Sequence, residues 1–441
     1  MNNTLQEILQ NLKIEGLNPM QKALLKPESA NKDIILLSPT GSGKTLAFLL
    51  PLLQSFRSDI VGIQVMILAP SRELALQIND VFKSMKTEWK SYCCYGGHSF
   101  QEEKKSITQN PPALIIGTPG RILDHLERGN ISTENIYTLV IDEFDKSLEL
   151  GFEEEMNDII SQLIQLKKKM LISATDMETI PEFVEMHFPI KLNFLTDKKE
   201  EERIKIWKVL SPDKDKIETL FKLLCSLNGK PSIVFSNHRD SAERINSMLH
   251  NKKVYSELYH GGMEQPEREL SLFKFRNGSS NILVSTDLAS RGLDISDVDH
   301  IIHYHLPVNE ETYTHRNGRT ARWQNTGNSY LILNKEEVLP SYLSDSIEEY
   351  KMPKKTSYPT QPDWVILYLG KGKKDKLSKM DVVGFLYKKG MLSRDDVGRV
   401  ELKEHVSLVA IKRSKINQLL VLISGEKIKG MKTIFRELRN K

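Results

Sequence analysis

The chain reads as two tandem doubly wound α/β domains followed by a small α+β domain, and three observations predict this. Residues 31–195 alternate short apolar strands with helical stretches. A second alternating block of similar size follows a polar interruption, Thr196-Asp197-Lys198-Lys199-Glu200-Glu201-Glu202-Arg203. After a Lys/Pro-rich stretch, Lys351–Pro359, the last 80 or so residues run β-α-β-β-α-β. Near-continuous apolar strands are expected of parallel sheets covered on both faces.

The first block predicts strands at Asp33–Leu37, Val65–Ala69, Ala113–Gly117, Thr138–Ile141 and Lys169–Ser173. The second predicts Ser232–Phe235, Ile282–Ser285, His300–Tyr304 and Ser329–Leu333. The tail predicts strands Trp364–Leu369, Gly398–Leu402, Ser407–Ile411 and Thr433–Leu438 with helices Met380–Lys388 and Lys415–Ile423. These divide the chain into an N-terminal helical segment (1–30), a first α/β domain (31–196), a linker (197–206), a second α/β domain (207–350), a linker (351–361) and the tail domain (362–441).

Composition narrows the function classes. The 441 residues are 39% hydrophobic and 27% charged, enough for each domain to bury a core. No apolar run approaches the ~20 residues of a membrane span, and the first residues lack a basic-then-apolar leader. The 3 cysteines, two of them adjacent, have no metal-binding spacing. A reducing, cytoplasmic setting is expected. The net charge of +4 is uneven. Residues 360–441 hold 19 Lys and Arg against 9 Asp and Glu, a net of +10, which leaves −6 for the rest. A basic module on a mildly acidic body fits a polyanionic partner.

Ser38-Pro39-Thr40-Gly41-Ser42-Gly43-Lys44-Thr45 sits between an apolar strand and a helix-like run. Glycines let the backbone amides wrap a polyphosphate, and the helix N-terminus adds its positive end. Lys44 can reach the outer phosphates, and the Thr45 hydroxyl can hold Mg²⁺. Val140-Ile141-Asp142-Glu143 ends a buried strand in two carboxylates. Asp142 suits Mg²⁺, partly through water, and Glu143 suits orienting and deprotonating a water.

The full order of motifs resembles the DEAD-box RNA helicases of superfamily 2. Leu17-Asn18-Pro19-Met20-Gln21 is similar to the Q-motif, whose glutamine reads adenine; an amide both donates and accepts, as that edge requires. Pro70-Ser71-Arg72-Glu73-Leu74-Ala75, Gly96-Gly97 and Thr118-Pro119-Gly120-Arg121 resemble the RNA-backbone motifs. Asp142-Glu143-Phe144-Asp145 stands where that family has Asp-Glu-Ala-Asp. Ser173-Ala174-Thr175 matches the motif that couples hydrolysis to strand opening. In the second block Ser285–Asp294 resembles motif V, where Asp287 would meet ribose and Thr286 RNA. His315–Arg322 resembles motif VI, whose arginines, here Arg319 and Arg322, would face the γ-phosphate. Ile233–Asn237 resembles motif IV, and Gln265-Pro266-Glu267-Arg268 the adjoining Gln-x-x-Arg pattern.

The resemblance implies two RecA-like domains, ATP and Mg²⁺ as cofactors, RNA as partner, and closure of the domains as the event that bends one RNA strand. Thr40, Gly41, Ser42, Gly43, Lys44 and Thr45 would bind ATP with Gln21 and Asp287. Arg72, Gly97, Thr118, Arg121 and Thr286 would bind RNA, and Ser173 and Thr175 would couple the two. The tail resembles the RNA-binding domain of the DbpA branch, an RRM-like fold that implies a hairpin of ribosomal RNA. It lacks the aromatic signature on its third strand, so Lys371, Lys373, Lys374 and Lys376 are expected to meet phosphates. The sequence departs from the family at Asn18, Ser38, Phe144 and Ala321. An ATP-regulated RNA clamp without productive unwinding is the alternative in another class, and a DNA-directed motor a third. A monomer is favoured.

Overall fold

The computed structural model describes residues 5–438 except 31, 40, 97–99, 178, 196–203, 290–294, 296–297, 321–325, 344–345 and 354–356. The chain forms two compact units. The first holds a seven-stranded parallel sheet, and the second a six-stranded parallel sheet together with the C-terminal four-stranded one.

In the first unit the strands are β1 (Ile34–Leu37), β2 (Val65–Leu68), β3 (Ser91–Cys94), β4 (Leu114–Gly117), β5 (Thr138–Ile141), β6 (Lys168–Ser173) and β7 (Ile190–Asn193). Their spatial order is β3-β4-β2-β5-β6-β1-β7, all parallel. Central strands such as β2, β4 and β5 are buried at every residue. Ile34, Leu36, Val65 and Ile67 meet the helix Lys44–Ser55 on one face, while Met66, Leu68, Leu139 and Ile141 pack on the other. That two-sided burial explains why the strands read as unbroken apolar runs.

The second unit adds β8 (Ile204–Leu210), β9 (Ser232–Phe235), β10 (Glu257–Tyr259), β11 (Ile282–Ser285), β12 (His300–His303) and β13 (Gly327–Leu333) in the order β10-β11-β9-β12-β13-β8. β8 begins inside the segment expected as a linker. It is an edge strand, half-exposed and alternating polar with apolar, so it carries no apolar run to announce it.

The tail strands are β14 (Trp364–Leu369), β15 (Val397–Leu402), β16 (Ser407–Lys412), the short hairpin β17 (Lys427–Ile428) and β18 (Met431–Lys432), and β19 (Phe435–Leu438). The antiparallel order β15-β16-β14-β19, with helices Lys379–Lys388 and Arg413–Leu422 on one face, is the expected RRM-like arrangement. Among the described residues no helix is long and apolar enough to cross a membrane.

Candidate functional site

Strand order decides which motifs meet. In a parallel sheet, ligand sites lie beyond the carboxyl ends of the strands. β1, β6 and β5 are adjacent, so the segments leaving them lie side by side: the glycine-rich loop, Ser173-Ala174-Thr175, and Asp142–Asp145. β2, β4 and β3 form the other half of the sheet, and there Arg72, Thr118 and Gly96 emerge. One sheet edge thus carries two groups of motifs, phosphate-type and RNA-type.

The loop is built as a cradle. Gly41 and Gly43 take φ of 86° and 89°, a left-handed backbone that disfavours other residues. A Cβ on Gly43 would meet Gln21 Nε2 at 2.7 Å. The Ser38 amide donates to the Ser173 carbonyl at 3.1 Å, tying the loop to β6. The Ser38 hydroxyl donates to Ser42 Oγ at 2.6 Å, so the unusual serine braces the turn. Lys44 is buried and its Nζ donates to the Ser38 carbonyl at 2.9 Å, stretched across the loop mouth. Asn18 caps the helix Pro19–Leu24 and donates from Nδ2 to the Ser42 carbonyl at 2.8 Å. Gln21 donates to the Gly43 carbonyl at 3.3 Å and accepts from the Asn18 amide at 2.9 Å. The segment expected to read adenine is therefore bonded to the loop itself. Thr45, half-buried, follows Lys44 on the helix.

The carboxylates lie at the end of β5. Asp142 is buried, and burial pushes its carboxyl up to about 7, with the Lys44 charge pulling the other way. A desolvated carboxyl of this kind, neighboured by Glu143 and Asp145, offers the hard oxygen donors that suit a divalent cation. Glu143 is buried with φ 48° and ψ 54°, a left-handed conformation for a non-glycine residue. Such strain costs about 1–3 kcal/mol and concentrates at functional sites. Its amide donates to Asp142 Oδ1 at 3.0 Å. Sequence reading gave Asp145 no role, yet Asp145 Oδ2 accepts from Thr175 Oγ1 at 2.8 Å. Ser173 Oγ donates to the Thr175 carbonyl at 2.7 Å. The acidic turn and the coupling motif are thus bonded to each other.

Among the RNA-type residues, Arg72 lies against Gly96, where an added Cβ would meet its Nη2 at 3.0 Å. Thr118 caps the helix Pro119–Glu127 without using its side chain. Arg121 Nε donates to Glu103 Oε2 at 2.7 Å, and its guanidinium covers the Phe100 ring at 4.9 Å. Glu103 also contacts His125 Nε2 at 2.8 Å, so this arginine is held by a buried carboxylate. Thr40, Gly97 and Arg322 lie outside the described residues, as does Ala321.

In the second unit the sequence signals missed the hub. Arg316 is fully buried, and its Nε and Nη2 donate to the two Asp287 oxygens at 2.6 and 3.1 Å. Its Nη2 also reaches Asn237 Oδ1 at 2.7 Å, and Nη1 the His305 carbonyl at 2.9 Å. These partners leave β11, β9 and β12, three adjacent strands. Asp287, expected at ribose, is held by this fork. Thr286 is half-buried beside it, and Arg319 is buried one turn on, its amide donating to the Arg316 carbonyl at 3.3 Å. The run His315–Arg322 contains Arg316, and an arginine in a motif facing an aspartate in another was the signal available. In the tail, Lys373, Lys374 and Lys376 are exposed and Lys371 pairs with Asp375 at 2.8 Å.

Comparison with known proteins follows these three parts. Residues 18–183 match the DEAD/DEAH box helicase family, 215–324 the helicase conserved C-terminal domain, and 366–437 the DbpA RNA binding domain. The chain is 31% identical over 428 residues to the ATP-dependent RNA helicase DbpA of Escherichia coli (strain K12), covering 94% of this chain and 93% of that protein. It is 29% identical over 458 residues to DbpA of Bacillus subtilis (strain 168), covering 95% of each. Among solved structures, S. cerevisiae Dbp5 bound to RNA and ADP BeF3 has a TM-score of 0.67 at 26% identity, covering 75% of this chain and 88% of that one. Mss116p bound to ssRNA and AMP-PNP has a TM-score of 0.70 at 27% identity, covering 79% and 77%. The chain belongs to the DEAD-box ATP-dependent RNA helicases, as a DbpA-like, ATP-hydrolysing member with an RNA-binding domain after its helicase domains.

Proposed function

We propose that this helicase locally unwinds structured ribosomal RNA during large-subunit assembly, working in the cytoplasm. The observation that carries the reading is the match to the DbpA RNA binding domain over residues 366–437, joined to helicase domains in a chain that aligns with DbpA proteins almost end to end. Crosslinking in cells followed by sequencing of bound RNA tests it. One enriched large-subunit hairpin is the expected result, and a diffuse messenger RNA profile refutes the ribosomal role.

In this reading the loop amides from Thr40 to Thr45 cradle the phosphates, and Lys44 turns from the Ser38 carbonyl to the outer phosphates. Thr45 and Asp142 would hold Mg²⁺, Asp142 partly through water, and the ion would supply positive charge to the phosphate oxygens. Glu143 accepts the proton of the attacking water. Arg319 and Arg322 supply charge to the γ-phosphate, and Asp287 exchanges part of its bonding with Arg316 for ribose. Arg72, Gly97, Thr118, Arg121 and Thr286 meet the RNA backbone. The Asp145–Thr175 bond carries the state of the acidic turn to Ser173.

The Asn18 bond to the loop gives a contained prediction. Asn18→Ser keeps a cap acceptor for the Gln21 amide, adds no charge, and removes the Nδ2 donor to the Ser42 carbonyl. Losing one hydrogen bond of about 0.5–1.5 kcal/mol raises the ATP KM by about 2–10-fold with kcat little changed. Steady-state ATPase assays at saturating RNA check this; an unchanged KM removes Asn18 from loop positioning.

A second prediction concerns salt. RNA binding by the tail weakens steeply as salt rises, because phosphate contacts release counterions. A filter-binding series across salt concentrations reads the slope, and a flat response rules out phosphate contacts.

A further inference from the structure

Three RNA-type segments of the first unit meet at one buried carboxylate. The helix Phe100–Gln109 turns Phe100, Glu103 and Ile107 to one side, at the spacing of a core-facing stripe. Phe100 is half-buried, and Ile107 packs in the core with Met66 and Leu68. An apolar residue is expected between them. Glu103 stands there instead, 3% exposed. A buried carboxylate is costly unless donors surround it, and an apolar side chain of similar volume would often serve stability as well. The charge at this place needs a reason other than the core.

Among the described residues, its partners are all donors. Glu103 Oε1 accepts from the Tyr95 amide at 3.3 Å, in the segment that runs into Gly96 and Gly97. Oε2 accepts from Arg121 Nε at 2.7 Å and lies 2.8 Å from His125 Nε2. Asn130 Nδ2 approaches the other ring nitrogen of His125 at 3.3 Å, which places the ring proton on Nε2, toward Glu103.

Arg121 is held from several directions. The Phe100 ring stacks on His125 at 4.3 Å and lies under the Arg121 guanidinium at 4.9 Å. Asp124 lies 3.7 Å from Arg121 Nη1. On the other arm, Arg72 packs against Gly96, where an added Cβ would meet its Nη2 at 3.0 Å. One carboxylate thereby joins the Gly96 turn, with Arg72 upon it, to the Arg121 guanidinium. The two segments leave different strands, β3 and β4.

We propose that Glu103 is a positioning residue for the RNA grip of the first unit. Buried itself, it fixes the spacing and orientation at which the Gly96 turn and Arg121 meet the phosphates of one strand. The proposal rests on the reading of Arg72, Gly97 and Arg121 as RNA-backbone contacts and adds the group that aligns them. A phosphate is bound best by a planar fork, and a guanidinium already held in plane gives up less freedom when RNA arrives.

The sign of one substitution separates positioning from charge. Glu103→Gln removes a negative charge near the RNA-type residues, so electrostatics alone predicts tighter binding. Positioning predicts the reverse. Glutamine offers one oxygen and one NH2 where donors face both sites. Whichever way the amide turns, an N–H opposes an N–H, and either Arg121 or the Tyr95 amide is let go.

The test measures binding of the full chain to a short fluorescent oligouridine in the presence of AMP-PNP, and binding of AMP-PNP alone. Glu103→Gln should weaken oligouridine binding about 5–20-fold and leave AMP-PNP binding within about twofold. Arg121→Ala should also weaken it, and adding Glu103→Gln to that variant should cost at most about threefold more, because the carboxylate acts largely through the arginine. Arg121→Lys leaves Glu103 in place and keeps the charge without the fork, so it should bind little better than Arg121→Ala. Tighter or unchanged binding by Glu103→Gln, with Arg121→Ala weakened, overturns the proposal and leaves Arg121 an RNA contact. Losses that multiply in the double variant, or parent-like binding by Arg121→Lys, overturn it too. AMP-PNP binding lost together with RNA binding makes Glu103 a support of the domain core and overturns the positioning role. Parent-like binding by Arg121→Ala removes the RNA reading of Arg121 and the proposal with it.

Discussion

Glu143→Gln is expected to lower ATP turnover by about 10²–10⁴-fold, the usual contribution of a general base, while ATP-dependent RNA binding survives. The substitution is nearly isosteric. Glu143 sits in a left-handed conformation at the entrance of the helix Phe144–Glu149, and its amide bonds to Asp142. Glutamine keeps that amide and meets the same backbone cost, so the turn should hold its shape. What changes is that the side chain can no longer accept a proton. Asp142, the carboxylate assigned to the cation, is untouched. The variant should therefore load ATP and RNA and stall before hydrolysis. Single-turnover phosphate release, measured beside RNA affinity with and without ATP, separates the outcomes. Turnover close to the parent removes Glu143 from the chemistry. Loss of ATP-dependent RNA binding together with turnover shows that the substitution damages the site and not the step. If strand separation continues over many cycles under stalled hydrolysis, unwinding does not depend on turnover at Glu143, and the turnover-driven reading fails.

The parts of this fold that the sequence displayed are those where one residue type repeats for one reason. Central parallel strands such as Val65–Leu68 and Leu114–Gly117 are buried on both faces, so they appear as apolar runs. The edge strands of the two parallel sheets did not appear. β3, Ser91–Cys94, is half-exposed along most of its length, and β7, Ile190–Asn193, alternates half-buried with exposed residues. β10 has only 3 residues. The tail strands fell within two residues of expectation because β14 and β16 are buried on both faces and read as apolar runs, yet β17 and β18 escaped notice at 2 residues each. The site divides the same way. Lys44, Asp142 and Glu143 belong to contiguous motifs whose chemistry can be read locally. The bond from Thr175 to Asp145 spans 30 residues, and the bonds from Arg316 to Asn237 and Asp287 span 79 and 29. Only the strand order brings those ends together, and strand order is not written in any one motif. The packing of the tail sheet on the helix Gln265–Arg276 was hidden for a similar reason: Phe273 reads as one more apolar residue of a helix until the sheet that covers it is in place.

Arg316→Ala is the substitution expected to cost the fold most. The side chain is fully buried and gives hydrogen bonds to Asp287, Asn237 and the His305 carbonyl, with its guanidinium over the Phe235 ring at 5.2 Å. Alanine removes every donor at once and leaves the Asp287 carboxylate without its counter-charge. The guanidinium is fully buried but the Asp287 side chain is 39% exposed, so water takes up part of the carboxylate's loss and the cost falls below the about 3–5 kcal/mol of a pair buried on both sides. Arg316→Lys should recover little of it, because an ammonium cannot span two carboxylate oxygens, an amide oxygen and a carbonyl in one plane. A single melting temperature would blur the effect, since a chain of several domains does not unfold in one step. Hydrogen exchange read strand by strand resolves it. Protection should fall in β9, β11 and β12, whose carboxyl ends the guanidinium joins, and stay unchanged in β5 and β6 of the first unit. Equal loss in both units would mean that the arginine supports the chain generally. Unchanged protection in β9, β11 and β12 would mean that the three strand ends are held by their sheet hydrogen bonds alone. The expected pattern makes Arg316 the tie that sets Asp287 and Asn237 in register, so RNA-stimulated ATPase should fall in the same variant even at temperatures where the second unit remains folded.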